Sequence, residues 1–271
     1  MTAIYSHGLL LFFLALLCSL SVVGQQERAY YSFEAVKFIS YTFDYGLSTG
    51  HYGVGQGDDF TGSGVDLKDV SKFINTNTSY AKSYRISASF GWVLRKRNFI
   101  KVGAAFRMIG KNMHLDLTDP ITKDLEDAGI KLTFPFNAVS SDIDQRDRFW
   151  SVPIEYRFFL TNNKKFSPFV EAGVDLSYYT KRRQSIYLER EDEPNFRTSN
   201  EDKGEFQKFN MFVSMRGGVS VLITNSMICN IGVQSFLSPH SNTISSHELS
   251  HRWHGLGGFV EFGVPVGKRP S

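Results

Sequence analysis

WSVPIEYRFFL, residues 150–160, followed after a short polar break by FSPFVEAGVDLSY, residues 166–178, decides how this chain is read. Trp150, Val152, Ile154, Tyr156, Phe158 and Leu160 share one parity; Ser151, Pro153, Glu155, Arg157 and Phe159 fill the other. The second run repeats the rhythm, with Phe166, Pro168, Val170, Ala172, Val174, Leu176 and Tyr178 against Ser167, Glu171, Gly173, Asp175 and Ser177. Successive side chains of a strand point to opposite faces, so period-two alternation marks a strand with one apolar and one polar face.

Working outward, eight such runs emerge: about 35–48, 81–95, 98–110, 147–161, 165–180, 207–223, 227–238 and 252–266. They are roughly twice the ~5–6 residues usual for soluble strands and match the ~9–11 needed to cross a bilayer at a tilt. Three connections are short, at residues 95–98 (RKRN), 161–164 (TNNK) and 224–226 (TNS). Four are long, at 49–80, 111–146, 181–206 and 239–251, and short alternates with long throughout. Tight turns on one side and long loops on the other are the plan of an outer-membrane barrel. The expected fold is therefore all-β: an eight-stranded antiparallel up-and-down transmembrane barrel with four long outer loops and three short periplasmic turns. An even strand count puts both mature termini in the periplasm. Alternation alone also fits a soluble lipocalin-like ligand-binding barrel with the two faces exchanged. Strand length, loop rhythm and the aromatics Trp92, Trp150, Trp253, Tyr178 and Tyr179 near strand ends favour the membrane, where such rings sit at the interface.

The polar parity carries both signs of charge: Asp44, Glu155, Glu171, Asp175 and Glu261 against Arg85, Lys101, Arg107, Arg157 and Arg216. Gly91, Gly103, Gly173, Gly218, Gly232, Gly255, Gly257 and Gly263 share that parity. An eight-stranded barrel has an interior that side chains can fill, and buried charges must be paired. These ten residues are expected to form a lumen charge network, with the glycines making room for it. A filled lumen argues against a porin.

The domain reading follows. Residues 8–20 (GLLLFFLALLCSL) are apolar but too few to span a bilayer, and Val22 and Gly24 fit a signal-peptidase site, so 1–24 is read as a signal peptide. The n-region MTAIYSH lacks Lys and Arg, and Leu17 before Cys18 does not suit a lipobox. Residues 25–34 are read as a periplasmic segment, 35–266 as the barrel and 267–271 as a tail. Cleavage leaves Cys229 as the single cysteine, which excludes an intrachain disulfide. The net charge of +3 gives no reason to expect a nucleic-acid partner. Outer-membrane lipid and envelope or secretion-complex proteins are the expected partners, with the barrel itself a monomer. In the loops, residues 67–76 and 121–130 have short helical character, and 132–136 (LTFPF) form an apolar patch.

VPIEYRFFL and SPFVEAGVDLSYY, within residues 152–179, resemble the outer-membrane β-barrel family of Bacteroidetes-type bacteria that includes PorT-like proteins. The matching features are the strand Val152–Phe159, the turn at 161–165 and the Pro168–Gly173 strand. The resemblance implies an outer-membrane barrel and, for PorT-like members, a link to protein secretion. The chain departs from the pattern at its end, GVPVGKRPS, where such barrels usually finish on an aromatic; Phe262 is read as the last outward one.

Chemistry-bearing motifs are few. His247-Glu248-Leu249-Ser250-His251 is a formal H-E-x-x-H, whose zinc geometry needs a helix. It lies instead in the fourth loop, so His247, His251 and His254 are weak metal candidates, beside His240. Ser250 with His251, or His254 with Glu248, are the conceivable nucleophile–base pairs of a barrel enzyme. Nothing in the sequence fixes their partners. The expectation is no catalytic residue, no cofactor and no enzyme, with a metal-binding or enzymatic fourth loop as the alternative.

Overall fold

The computed structural model describes residues 37–54, 72, 75–95, 97–116, 138–161, 166–190, 194, 196–202, 208–224, 227–239, 242–244 and 247–266. The segments read as signal peptide, periplasmic segment and tail lie outside these residues, as do residues 121–130, residues 132–136 and His240. Of the first loop's expected helix, Lys72, Asn75 and Thr76 are helical, with the Thr76 hydroxyl donating to the Lys72 carbonyl at 2.9 Å.

Eight long strands close into a ring: β1 (Lys37–Val54), β2 (Thr78–Arg95), β3 (Asn98–Asp116), β4 (Ala138–Phe159), β5 (Phe166–Arg190), β7 (Phe209–Thr224), β8 (Met227–Leu237) and β10 (His247–Val266). Every neighbouring pair is antiparallel, and β1 seals the ring against β10 from Lys37↔Val266 to Val54↔Leu249. Closure leaves the ring no free edge to pair with other chains. Two short strands lie beside it: β6 (Phe196–Asp202) continues the sheet from β5, and β9 (Asn242–Ile244) pairs with β10.

The ring strands run further into the long connections than alternation indicates. β3 continues to Asp116, β4 begins at Ala138 and β5 reaches Arg190, so much of 111–146 and 181–206 is sheet rather than loop. Alternation fades in these extensions because polar residues lie on both faces, with Leu115, Ile143 and Leu188 interspersed on the inner one. Ser140, Asp142, Asp144 and Arg146 lie on one parity of β4 and Ser141 and Gln145 on the other.

The faces decide the environment. Tyr41, Phe43, Tyr45 and Leu47 of β1, Ile86, Phe90 and Leu94 of β2, and Trp150, Val152, Ile154 and Tyr156 of β4 all face outward and are exposed. Asp44, Arg85, Glu155 and Arg216 are at most 4% exposed, inside. A soluble barrel would have the opposite arrangement, because exposing a belt of large apolar groups to water while burying charge is doubly unfavourable. The lipocalin-like alternative is thereby overturned. The chain forms a transmembrane β-barrel of the outer-membrane type, with hydrocarbon as the solvent of its apolar face.

Candidate functional site

The lumen is built in layers, set by which residues interrupt the polar parity. At the short-turn end Phe38, Phe99, Phe159, Phe169 and Phe259 form a buried aromatic layer. Phe99 meets Phe38 at 5.6 Å and Phe159 at 5.1 Å between ring centroids. At the long-connection end Ile109, Phe149, Tyr179, Phe212, Phe236 and Trp253 form a second layer, with Phe149 edge-on to Tyr179, Phe212 and Trp253. Tilted and edge-to-face packing of this kind is favoured by the ring quadrupoles.

All ten residues of the charged set lie between these layers. Arg216 donates to Asp44 (2.8 Å), Glu155 (2.7 Å) and Glu171 (2.8 Å), joining three strands at once. Arg85 bridges Asp44, Glu155 and Asp175 at 3.1, 2.9 and 3.1 Å. Lys101 reaches Glu155, Glu171 and Glu261, the last at 2.7 Å, and Arg157 clamps Glu171 and Glu261 at 2.7 Å each. Arg107 donates to Asp175 at 2.6 Å and lies over the Phe236 ring at 4.4 Å. Arg157 lies over Phe169 at 4.0 Å. Arg107 and Arg157 thus touch carboxylates on one side and aromatic faces on the other, where the ring quadrupole attracts positive charge.

Glycine makes the close strand approaches that this filling requires. Gly257 lies opposite Gly46, and a Cβ at Gly257 would come within 2.7 Å of the Gly46 Cα. Gly218 lies opposite Gly232, where an added Cβ would meet the Gly232 Cα at 3.1 Å. A cavity of about 30 Å3 remains beside Phe38, Lys101, Arg157 and Glu261, room for about one water molecule.

The aromatic layers are what sequence reasoning missed. Trp253 (1% exposed) and Tyr179 (3%) are lumen residues, not interfacial anchors. Trp253 shares its parity with Phe259 and Glu261, and Tyr179 shares its with Asp175 and Ser177, which is the signal that places them inside. Trp92, Trp150 and Tyr178 do face outward.

His247–His251 belongs to strand β10, not to a helix. At ~3.3 Å per residue, Cα atoms four positions apart on a strand are ~13 Å apart, whereas the zinc geometry of H-E-x-x-H places them one helical turn apart. Ser250 and His251 are adjacent on β10, and the Cα atoms of Glu248 and His254 are ~20 Å apart along it. His254 pairs across the ring seam with Thr49 and packs edge-on to Tyr80 at 6.0 Å. Among the described residues, no group of three or more His, Cys, Asp or Glu could hold a metal ion. Elsewhere, the His114 Nδ1 and Asp142 Oδ1 lie 2.6 Å apart on the extended part of β3 and β4.

No protein-family model and no curated protein matches the chain. Among solved structures it is similar to Neisserial surface protein A (TM-score 0.37, 10% identity, 83% of this chain and 95% of that one). It is also similar to the outer membrane protease OmpT from Escherichia coli (TM-score 0.41, 8% identity, 89% and 99%). A third is Ail, the attachment invasion locus protein of Yersinia pestis (TM-score 0.27, 8% identity, 83% and 98%). At these identities the likeness concerns fold alone. The expectation that the chain is not an enzyme does not stand. The similar folds include a protease beside proteins whose names carry no catalysis, so enzymatic status is undetermined.

Proposed function

We propose that this protein is a sealed outer-membrane barrel with a structural or interaction role in the cell envelope, its work done outside the lumen. The observation that carries this reading is the filling: two aromatic layers enclosing a balanced set of five acidic and five basic side chains. Opening a path through it would separate ion pairs that are buried on every side, and removing one partner of such a pair costs ~3–5 kcal/mol. The wall is left as anchor, and the long strand ends with their connections as the presented surface. In this reading both mature termini are periplasmic, the barrel is monomeric, and the extended ends of β3, β4 and β5 stand on the cell exterior.

The resemblance of Val152–Gly173 to PorT-like proteins directs the reading toward assistance in protein secretion, through envelope partners that bind the presented strands. The test is twofold. Purified barrel in planar bilayers gives no discrete conductance steps, and photo-crosslinkers placed along β6 capture envelope proteins in cells. Regular single-channel steps from wild-type protein refute the sealed lumen. A crosslinker that captures nothing from β6 in intact cells refutes the interaction role.

A further inference from the structure

Above the apolar belt, the outward face of β4 and β5 changes character in a fixed order. Trp150 and Tyr178 face each other as the last aromatic pair. The next outward pair is Arg148↔Lys181, and the one after is Arg146↔Arg183. Two acids accompany these four cations: Asp144 accepts from Arg146 at 2.8 Å and Glu201 from Lys181 at 2.9 Å. The patch keeps a positive surplus.

Beyond it, two rungs cross the sheet on the same face. One runs Arg197↔Tyr187↔Asp142↔His114 and the other Ser185↔Asp144↔Asn112↔Ser79. Together with Met113, Ile143 and Ile186 between them, they line a groove of about 470 Å3. The His114–Asp142 pair holds the middle of the first rung, each side chain more than half exposed. The groove therefore offers carboxylates, an amide, a guanidinium, hydroxyls and one aromatic face. It suits a ligand dense in hydroxyl groups, since these donors and acceptors are multiple and point from one surface.

The order along the wall is apolar, aromatic, cationic, then hydroxyl-recognising. A phosphorylated glycolipid standing beside the barrel has the same order from acyl chain to phosphate to saccharide. Basic groups just above a hydrocarbon belt are the chemistry that holds lipid phosphates. We propose that this column is a lateral binding site for such a glycolipid of the outer leaflet, with its phosphates on Arg148 and Lys181 and its saccharide in the His114–Asp142 groove. The site rests on the orientation given above, with these strand ends outside the cell. Asp142 lies eight residues beyond Trp150, ~26 Å along the strand and ~20 Å above the belt once the ~40° tilt is taken into account.

The test uses the full barrel folded in detergent micelles and three probes: lipid A, lipid A carrying its core oligosaccharide, and the free core oligosaccharide. Binding is measured by native mass spectrometry. The core-bearing glycolipid binds wild type at least tenfold more tightly than lipid A. Asp142→Ala with His114→Ala removes that tenfold preference and leaves lipid A binding unchanged. Arg148→Ser with Lys181→Ser weakens both glycolipids at least tenfold. Asp142→Asn replaces the alanine pair if that variant loses its heat-modifiable gel shift. Equal binding of the two glycolipids to wild type, or unchanged binding by both variants, overturns the proposal. So does free oligosaccharide binding as tightly as the glycolipid, which would make the groove a receptor for soluble sugar. Orientation is read separately, from Ser140→Cys in a Cys229→Ser background with an impermeant maleimide on intact cells. Labelling without glycolipid preference sinks the lateral site alone; labelling only after permeabilisation sinks the orientation and the site with it.

Discussion

Replacing Arg216 by Met tests the lumen most directly. Arg216 is 4% exposed and contacts Asp44, Glu155 and Glu171 within 2.8 Å, with Gln234 accepting at 3.3 Å. Met fills much of the volume and none of the charge. Three carboxylates lose a partner, although Arg85 still serves Asp44 and Glu155, and Lys101 and Arg157 still serve Glu171. Breaking a buried pair from one side costs ~3–5 kcal/mol because the remaining charge stays buried. The residual partners place the expected loss near the lower end, about 3 kcal/mol. Arg146→Met, which breaks a single half-exposed pair with Asp144, costs at most ~1 kcal/mol. Adding Asp44→Asn to Arg216→Met restores charge balance, so the two losses fall short of additivity by about 1–3 kcal/mol. The assay is reversible urea unfolding of micelle-folded barrel followed by tryptophan fluorescence. An Arg216→Met loss no larger than that of Arg146→Met, or strict additivity with Asp44→Asn, would refute the account of a coupled, desolvated network.

Further predictions concern other parts of the wall. With Trp92→Phe and Trp150→Phe, the remaining Trp253 fluorescence resists quenching by brominated acyl chains, whereas a variant keeping only Trp150 is strongly quenched; equal quenching places Trp253 outside. Gly257→Val drives a branched side chain into the Tyr45 carbonyl and the Gly46 Cα at the ring seam, and the variant fails to show a heat-modifiable gel shift after refolding. Lys181 donates a hydrogen bond to Glu201 and, with its charge, holds that exposed carboxylate below its usual range. A depressed carboxylate stabilises above its unfolded value of ~4.3 and loses the contribution as pH falls through the folded value. Amide protection of β6 is therefore higher in wild type than in Glu201→Gln at pH 6, and the difference narrows as pH falls below the unfolded value; a difference that does not change with pH removes the carboxylate as its cause.

The sequence shows the ring because two solvents act on it. Where hydrocarbon touches one face and packed charge the other, as from Trp150 to Phe158, every second residue is chosen by a different environment, and period two results. Ser141, Gln145 and Asp147, beyond Arg148, join Ile143 on the inner parity of β4 while Asp142, Asp144 and Arg146 hold the outer one, so its extension to Ala138 leaves little alternation to read. The same reason hides β6, whose residues FRTSNED carry almost no apolar signal. The charged set was legible because the ten residues share a parity with glycines. The aromatic layers were not, because Phe159 and Phe169 look like lapses in the pattern until the ring brings them together at 5.8 Å. The two glycolipid-facing rungs depend on cross-strand register, which no single strand carries.

The distribution of lumen charge around the ring bears on how the chain can be assembled. β1 to β4 contribute Asp44 and Glu155 against Arg85, Lys101, Arg107 and Arg157. β5 to β10 contribute Glu171, Asp175 and Glu261 against Arg216 alone. Within this set of ten, β1 to β4 carry a surplus of two cations and β5 to β10 a surplus of two acids, and the pairs that cancel them cross at the β4–β5 junction, as Arg157 with Glu171, and across the lumen, as Arg216 with Asp44. Electrostatic attraction draws the halves together, and an open sheet inserted too early carries its imbalance into hydrocarbon. Closure of the cylinder completes the pairing of its contents, and a ring closed out of register would leave buried charges without their partners.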